Sequence, residues 1–163
     1  MLDNEWSLES SSEEETRDLA ARLAELVEEG DVILLAGPLG AGKTVFVQGL
    51  ARSLGIRERI ISPTFTIVRE YGAREGARLP LFHGDLYRLE ADDFRELGYE
   101  EESAAGVMVV EWGEKLRDDL GDWMLVRLEH GLRSGQRRLE VAWKGPRGAA
   151  LAEAWAHEVA RSR

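Results

Sequence analysis

The stretch Asp31-Val32-Ile33-Leu34-Leu35-Ala36-Gly37-Pro38-Leu39-Gly40-Ala41-Gly42-Lys43-Thr44-Val45-Phe46 changes its pattern twice. Residues 31–36 form the unbroken apolar run that a central parallel strand, covered on both faces, requires. Residues 37–44 then read G-x-x-x-x-G-K-T, a complete phosphate-loop pattern. Val45, Phe46, Leu50 and Leu54 follow at helical spacing up to Gly55. Strand, glycine loop and helix in this order predict an α/β fold whose loop meets phosphate. Glycines let the backbone curl so that successive N–H groups point inward, and the helix adds the positive end of its dipole. Lys43 supplies a mobile point charge for the β- and γ-phosphates, and the Thr44 hydroxyl is placed to ligate Mg2+. The plain alternative, a glycine-rich turn with an incidental lysine, does not explain why both flanking elements are present. The loop alone does not separate a kinase, a GTPase and an ATPase.

Working outward, Ser11 and Ser12 stand at capping-box spacing from Glu14 and Glu15, and Leu19, Leu23, Leu26 and Val27 make a helical stripe that stops at Gly30. A short alternating stretch around Trp6 and Leu8 precedes it. Downstream, 65–71 and 79–82 read as strands around a turn region at 72–78, 92–97 as a short helix, and 107–110 as a buried strand. Alternation around Met124, Val126 and Leu128 and around Leu139, Val141 and Trp143 predicts two more strands, and Leu151, Ala154, Trp155 and Val159 a closing amphipathic helix. The expected architecture is therefore α/β in three layers, a mostly parallel central sheet with helices on both faces and antiparallel additions. No long linker or internal repeat divides residues 1–163, so a single domain is expected.

Composition narrows the function. The 163 residues contain no Cys and 3 His, which leaves no thiol nucleophile and no cysteine or multi-histidine metal centre; a metal must be held by oxygens. A net charge of −10 repels polyanions, so nucleic acid is expected to be met only through a partner. No apolar run approaches membrane-spanning length, and the acidic start Met1-Leu2-Asp3-Asn4-Glu5 lacks the segments of a secretory signal; cytoplasmic residence is expected. Arg outnumbers Lys 18 to 3, which fits a heat-adapted organism and a GC-rich genome equally.

Phosphoryl transfer on this kind of loop also needs an acid at the carboxyl end of a neighbouring strand. Asp85 and Glu111 each follow an apolar run, as acids that merely mark strand ends also do. Ser62-Pro63-Thr64-Phe65-Thr66 is a hydroxyl-rich strand entry that could order around a γ-phosphate or be an ordinary loop. Trp112 and Tyr87 are open to a core role, the expected one for Trp6, Trp123, Trp143 and Trp155.

Together the 37–44 loop, Ser62-Pro63-Thr64-Phe65-Thr66, His83-Gly84-Asp85-Leu86-Tyr87-Arg88-Leu89 and Glu111-Trp112 resemble the TsaE family over about residues 10 to 145. The resemblance implies a phosphate-loop ATPase of bacterial tRNA threonylcarbamoyladenosine (t6A) biosynthesis, using ATP/ADP and Mg2+. It works with the threonylcarbamoyl transferase subunit (TsaD) and that subunit's inactive paralogue (TsaB), whose repeated turnover it sustains, and meets tRNA only through them. Carried over, Lys43, Asp85 and Glu111 are catalytic, and Thr44, Asp85 and Glu111 hold the metal. Gly37, Pro38, Leu39, Gly40, Ala41, Gly42, Lys43, Thr44, Val45, Thr64, Thr66 and Trp112 line the nucleotide. Val45 replaces a second Thr that many members carry. Two other readings stay open: a small-molecule kinase with Arg69, Arg74 and Arg78 in a lid, and a nucleotide sensor in which turnover is incidental.

Overall fold

The computed structural model describes residues 5–63, 67–72, 74 and 76–163. Seven strands form one sheet in the order β1-β7-β6-β2-β5-β4-β3. They are β1 (Glu5–Ser10), β2 (Val32–Ala36), β3 (Val68–Tyr71), β4 (Leu81–Asp85), β5 (Val107–Glu111), β6 (Trp123–His130) and β7 (Arg137–Lys144). The helices are α1 (Glu13–Ala24), α2 (Lys43–Leu54), α3 (Ala91–Glu96), α4 (Tyr99–Ser103) and α5 (Gly145–Arg161), with a 3-10 turn at Gly113–Leu116.

The apolar runs are unbroken because successive residues serve two cores. Ile33, Leu35, Val109, Met124 and Val126 face a core that includes Leu19 and Leu23 of α1, Phe46 and Leu50 of α2, and Leu151 and Trp155 of α5. Leu34, Met108, Val110 and Leu125 face a second core with Phe94 of α3 and Leu116 of the 3-10 turn. Strands buried on both faces have no polar alternation to show.

The sheet is mixed rather than mostly parallel. β2 runs parallel to β5 and β6, and β4 to β5, whereas β1 with β7, β3 with β4 and β6 with β7 are antiparallel. A parallel neighbour needs a crossover of a dozen or more residues, and short connections such as 72–80 and 131–136 permit only antiparallel return.

Some boundaries differ from the sequence pattern, the end of α1 for an identifiable reason. Ser12 caps α1 by accepting from the Glu15 N–H at 3.0 Å, but the helix stops at Ala24, well short of Gly30. There Arg78 donates to the carbonyls of Ala24 and Val27, and Arg147 to that of Leu26 at 3.2 Å. Guanidinium groups from distant parts of the chain thus take the carbonyls that further helical turns would use. β4 begins at Leu81 and includes Asp85, two to three residues beyond the apolar run read for it. α4 and the 3-10 turn, too short to show a periodicity, were not expected. Trp155 and Trp123 are buried, and Trp6 and Trp143 pack partly buried against the first core.

Candidate phosphate and metal site

The site lies at the carboxyl ends of the central parallel strands, where open α/β sheets place ligands. β2 ends at Ala36 and the chain enters the 37–44 loop. Gly37 is obligatory there: its φ is +130°, and a Cβ would lie 2.1 Å from the Leu128 carbonyl oxygen. Pro38, Leu39 and Gly40 form the exposed tip, and the Ala41 N–H closes the turn onto the Pro38 carbonyl at 3.2 Å. Gly42, at φ +102°, is the N-cap of α2, and among the described residues no side chain caps that helix. The first N–H groups of α2 are thus left for a ligand, the arrangement that receives anions. Val45 is half-buried in the same first turn.

The loop is braced from outside by Arg137, the first residue of β7. Its Nε donates to the Ala41 carbonyl at 2.8 Å and its Nη2 to the Gly40 carbonyl at 3.3 Å. A trans peptide is one rigid plane, so an Ala41 carbonyl held outward turns the Gly42 N–H the opposite way.

Lys43 is almost wholly buried, at 5% exposure. Its ammonium donates to the Gly37 and Pro38 carbonyls and sits 3.9 Å from the centroid of the Trp112 ring. Burial holds its pKa below the ordinary lysine value, and the carboxylates of Glu111, Glu114 and Asp85 partly offset that effect. The Thr44 hydroxyl donates to the Glu111 carboxylate, with Oε1 at 3.0 Å and Oε2 at 3.1 Å. Its hydrogen is therefore committed to Glu111, which leaves its oxygen lone pairs for a cation.

Glu111 ends β5 and is 4% exposed. Direct pairing of Asp85 with Glu111 in the parallel β4/β5 ladder puts the two acids side by side. Asp85 Oδ2 accepts from the Ser62 hydroxyl and Oδ1 from the Tyr87 N–H, both at 2.8 Å. A cleft of about 170 Å³ opens beside it, lined also by Pro63, Ile67, Tyr87, Arg88 and Leu89. Trp112 follows Glu111 with φ +58°, the one non-glycine residue of positive φ among those described, and its ring lies 5.2 Å from that of the half-exposed Tyr87, tilted 44° to it. Both aromatics thus belong to the site rather than to the deep core.

A hydroxyl and two carboxylates are hard oxygen donors suited to Mg2+, which takes few protein ligands and completes its shell with water and substrate phosphate. Among the described residues no three His, Cys, Asp or Glu side chains cluster as a self-sufficient metal cage. The donor set fits a cation brought in with a polyphosphate.

The family model described as Threonylcarbamoyl adenosine biosynthesis protein TsaE matches residues 10–139. The chain belongs to the TsaE family. The TsaE protein of Treponema pallidum is 42% identical over 135 residues, covering 82% of this chain and 97% of its own. That of Nostoc sp. is 42% identical over 136 residues, covering 80% and 82%. Both carry the name tRNA threonylcarbamoyladenosine biosynthesis protein TsaE. The crystal structure of Bacillus subtilis YdiB superposes with a TM-score of 0.80 at 30% identity, covering 96% of this chain and 97% of that one.

In this TsaE chain the residues read from sequence converge: Gly37 to Val45, Asp85, Glu111 and Trp112 surround one loop. Thr64 and Thr66 lie outside the described residues. His83, Glu114 and Arg137 also belong to the site and were not read as such. His83 could have been found from the strand period, since it stands two residues before Asp85 on the same face. Glu114 has an Oε2 buried without a partner among the described residues. Arg137 had no local signal. No helix is long and apolar enough to cross a membrane among the described residues.

Proposed function

We propose that this chain is a P-loop NTPase domain that binds ATP with Mg2+ on the 37–44 loop and hydrolyses it to ADP and phosphate. The observation that carries the reading is the Thr44 hydroxyl donating to Glu111, which joins the loop to the acid of a neighbouring strand. Thr44, Glu111 and Asp85 would hold the metal, and Lys43 would leave its carbonyl partners for the β- and γ-phosphates. When bound, Mg2+ supplies neutralisation of phosphate charge. Glu111 and Asp85 would orient water and a metal bound with the nucleotide, Trp112 would flank the site, Val45 would leave its contact to backbone N–H groups, and Thr64 and Thr66 would belong to a nucleotide-responsive segment.

The names of the relatives support a role in t6A biosynthesis. The chain acts there as the ATP-driven subunit in the cytoplasm, slow alone, sustaining repeated turnover of TsaD with TsaB. Its net charge of −10 leaves tRNA to those partners. The lid needed by a small-molecule kinase finds little support: Arg78 is spent on the end of α1, and Arg69 pairs with Glu58 at 3.3 Å. The test is phosphate release by the purified chain with and without the partner pair and tRNA. Release that needs no phosphate acceptor, rises with the partners and vanishes in K43A is expected. Release that depends on a small-molecule acceptor would make the protein a kinase.

A further inference from the structure

His83 takes no part in the reading above, although it is fully buried in the middle of the site. It stands on β4 on the same face as Asp85, and its Nε2 lies 2.6 Å from Glu111 Oε2. Its Nδ1 is buried and has no partner among the described residues. A side chain present only to fill the core would not leave a polar atom orphaned there, since such an atom keeps its desolvation cost uncompensated. A histidine supplies what a hydrocarbon cannot: an N–H at fixed reach on a rigid ring. With Nδ1 unpartnered, the hydrogen belongs on Nε2, and the ring donates to the carboxylate.

That donation has a geometric consequence. The last torsion of a glutamate side chain is broad and roughly two-fold, so a carboxylate held at one edge can turn its plane. Glu111 is held at two: Thr44 bonds both oxygens, and His83 grips Oε2 from the adjacent strand. We infer that His83 is the positioning residue of the Glu111 carboxylate, fixing the plane in which that group faces Thr44 and the nucleotide-bound metal. The inference rests on the proposed ATP site in so far as Glu111 works there.

The test uses the full chain with H83F, which keeps a ring without the donor, H83Q, whose amide nitrogen reaches the place of Nε2, and E111Q. Binding of the non-hydrolysable analogue adenylyl imidodiphosphate is measured with and without Mg2+, together with kcat and KM for ATP and imidazole 15N spectra of the wild type. Supporting shells of this kind are worth roughly 10–100-fold in metal affinity or activity. H83F is expected to lose that much of the Mg2+-dependent gain in affinity and of kcat, with Mg2+-free binding and KM little changed, and H83Q to recover most of it. The spectra should show hydrogen on Nε2 and a bare Nδ1. H83F equal to wild type while E111Q is impaired overturns the inference and leaves the ATPase reading standing. E111Q equal to wild type, or a wild type with no ATP hydrolysis, overturns that reading instead, and a bare Nε2 overturns the inference by itself. If H83F does not fold, loss in H83Q equal to that in E111Q overturns it.

Discussion

Removing the Arg137 side chain separates the brace of the loop from the loop itself. Among the described residues the guanidinium makes three hydrogen bonds, of which the one to the Gln136 carbonyl is local and two reach the loop, at 2.8 Å to Ala41 and 3.3 Å to Gly40. A bond from a charged donor is worth about 1.5–3 kcal/mol where it is shielded and less where water competes. Taking the low end for the shorter bond and about 0.5 kcal/mol for the longer, exposed one, R137A should lose about 2 kcal/mol of stability. For a chain of this size that is a fall in Tm of about 4–8 °C. If the whole cost reappears as loop order that a triphosphate must restore, affinity falls by at most about 30-fold. Urea titration and calorimetric titration with ATP analogue and Mg2+ measure the two quantities. The neighbouring R138A is the control, because Arg138 is exposed and, among the described residues, pairs only with Glu140 on its own strand, at 3.2 Å; it should leave both unchanged. Wild-type affinity in R137A, or equal losses in R137A and R138A, would refute the brace.

Other outcomes follow from the same geometry. K43A should abolish hydrolysis and greatly weaken triphosphate binding, read by phosphate release and titration, because only backbone dipoles then face the β/γ charge. D85N and E111Q should keep the fold by circular dichroism yet lose Mg2+-dependent turnover, each deleting one charge at nearly constant volume. Lys43 should also impose a pH dependence. Its pKa is lowered in the ligand-free fold, so over the window between that value and the ordinary lysine value the unfolded chain holds more protons, and stability rises with pH. Triphosphate binding draws the proton back, so affinity should fall across that window, with proton uptake visible as a buffer-dependent binding heat. G49A should cost about 1–3 kcal/mol in urea unfolding, because its Cβ would meet the Arg17 carbonyl oxygen at 2.3 Å where α1 crosses α2. The isolated chain should not bind tRNA at physiological salt, while its affinity for the TsaD–TsaB pair should differ between ATP and ADP; equal affinity in both states removes the switch.

Legibility from sequence followed the range of the interactions. β2, the loop and α2 were readable because each is specified by its own residues, through apolar run, glycine spacing and helical period. Asp85 and Glu111 were readable as acids after apolar runs, but their direct pairing depends on the register of β4 against β5, which no single segment encodes. The end of α1 was misread because its carbonyls are taken by Arg78 and Arg147, partners 54 and 121 residues distant for Ala24 and Leu26. Arg137 was missed for the same reason: its partner carbonyls lie nearly a hundred residues earlier.

The resting place of Lys43 bears on the pace of the proposed cycle. The ammonium is not waiting in water; it already has the Gly37 and Pro38 carbonyls and the Trp112 ring as company. An arriving anion must outbid those residents, so the affinity it realises is a difference rather than the whole attraction of a buried cation. A departing anion, in turn, leaves no bare charge behind, because the lysine has somewhere to return. A loop furnished in this way trades tightness of grip for ease of exit, which suits the proposed ATPase, a part that would have to let go of its product repeatedly.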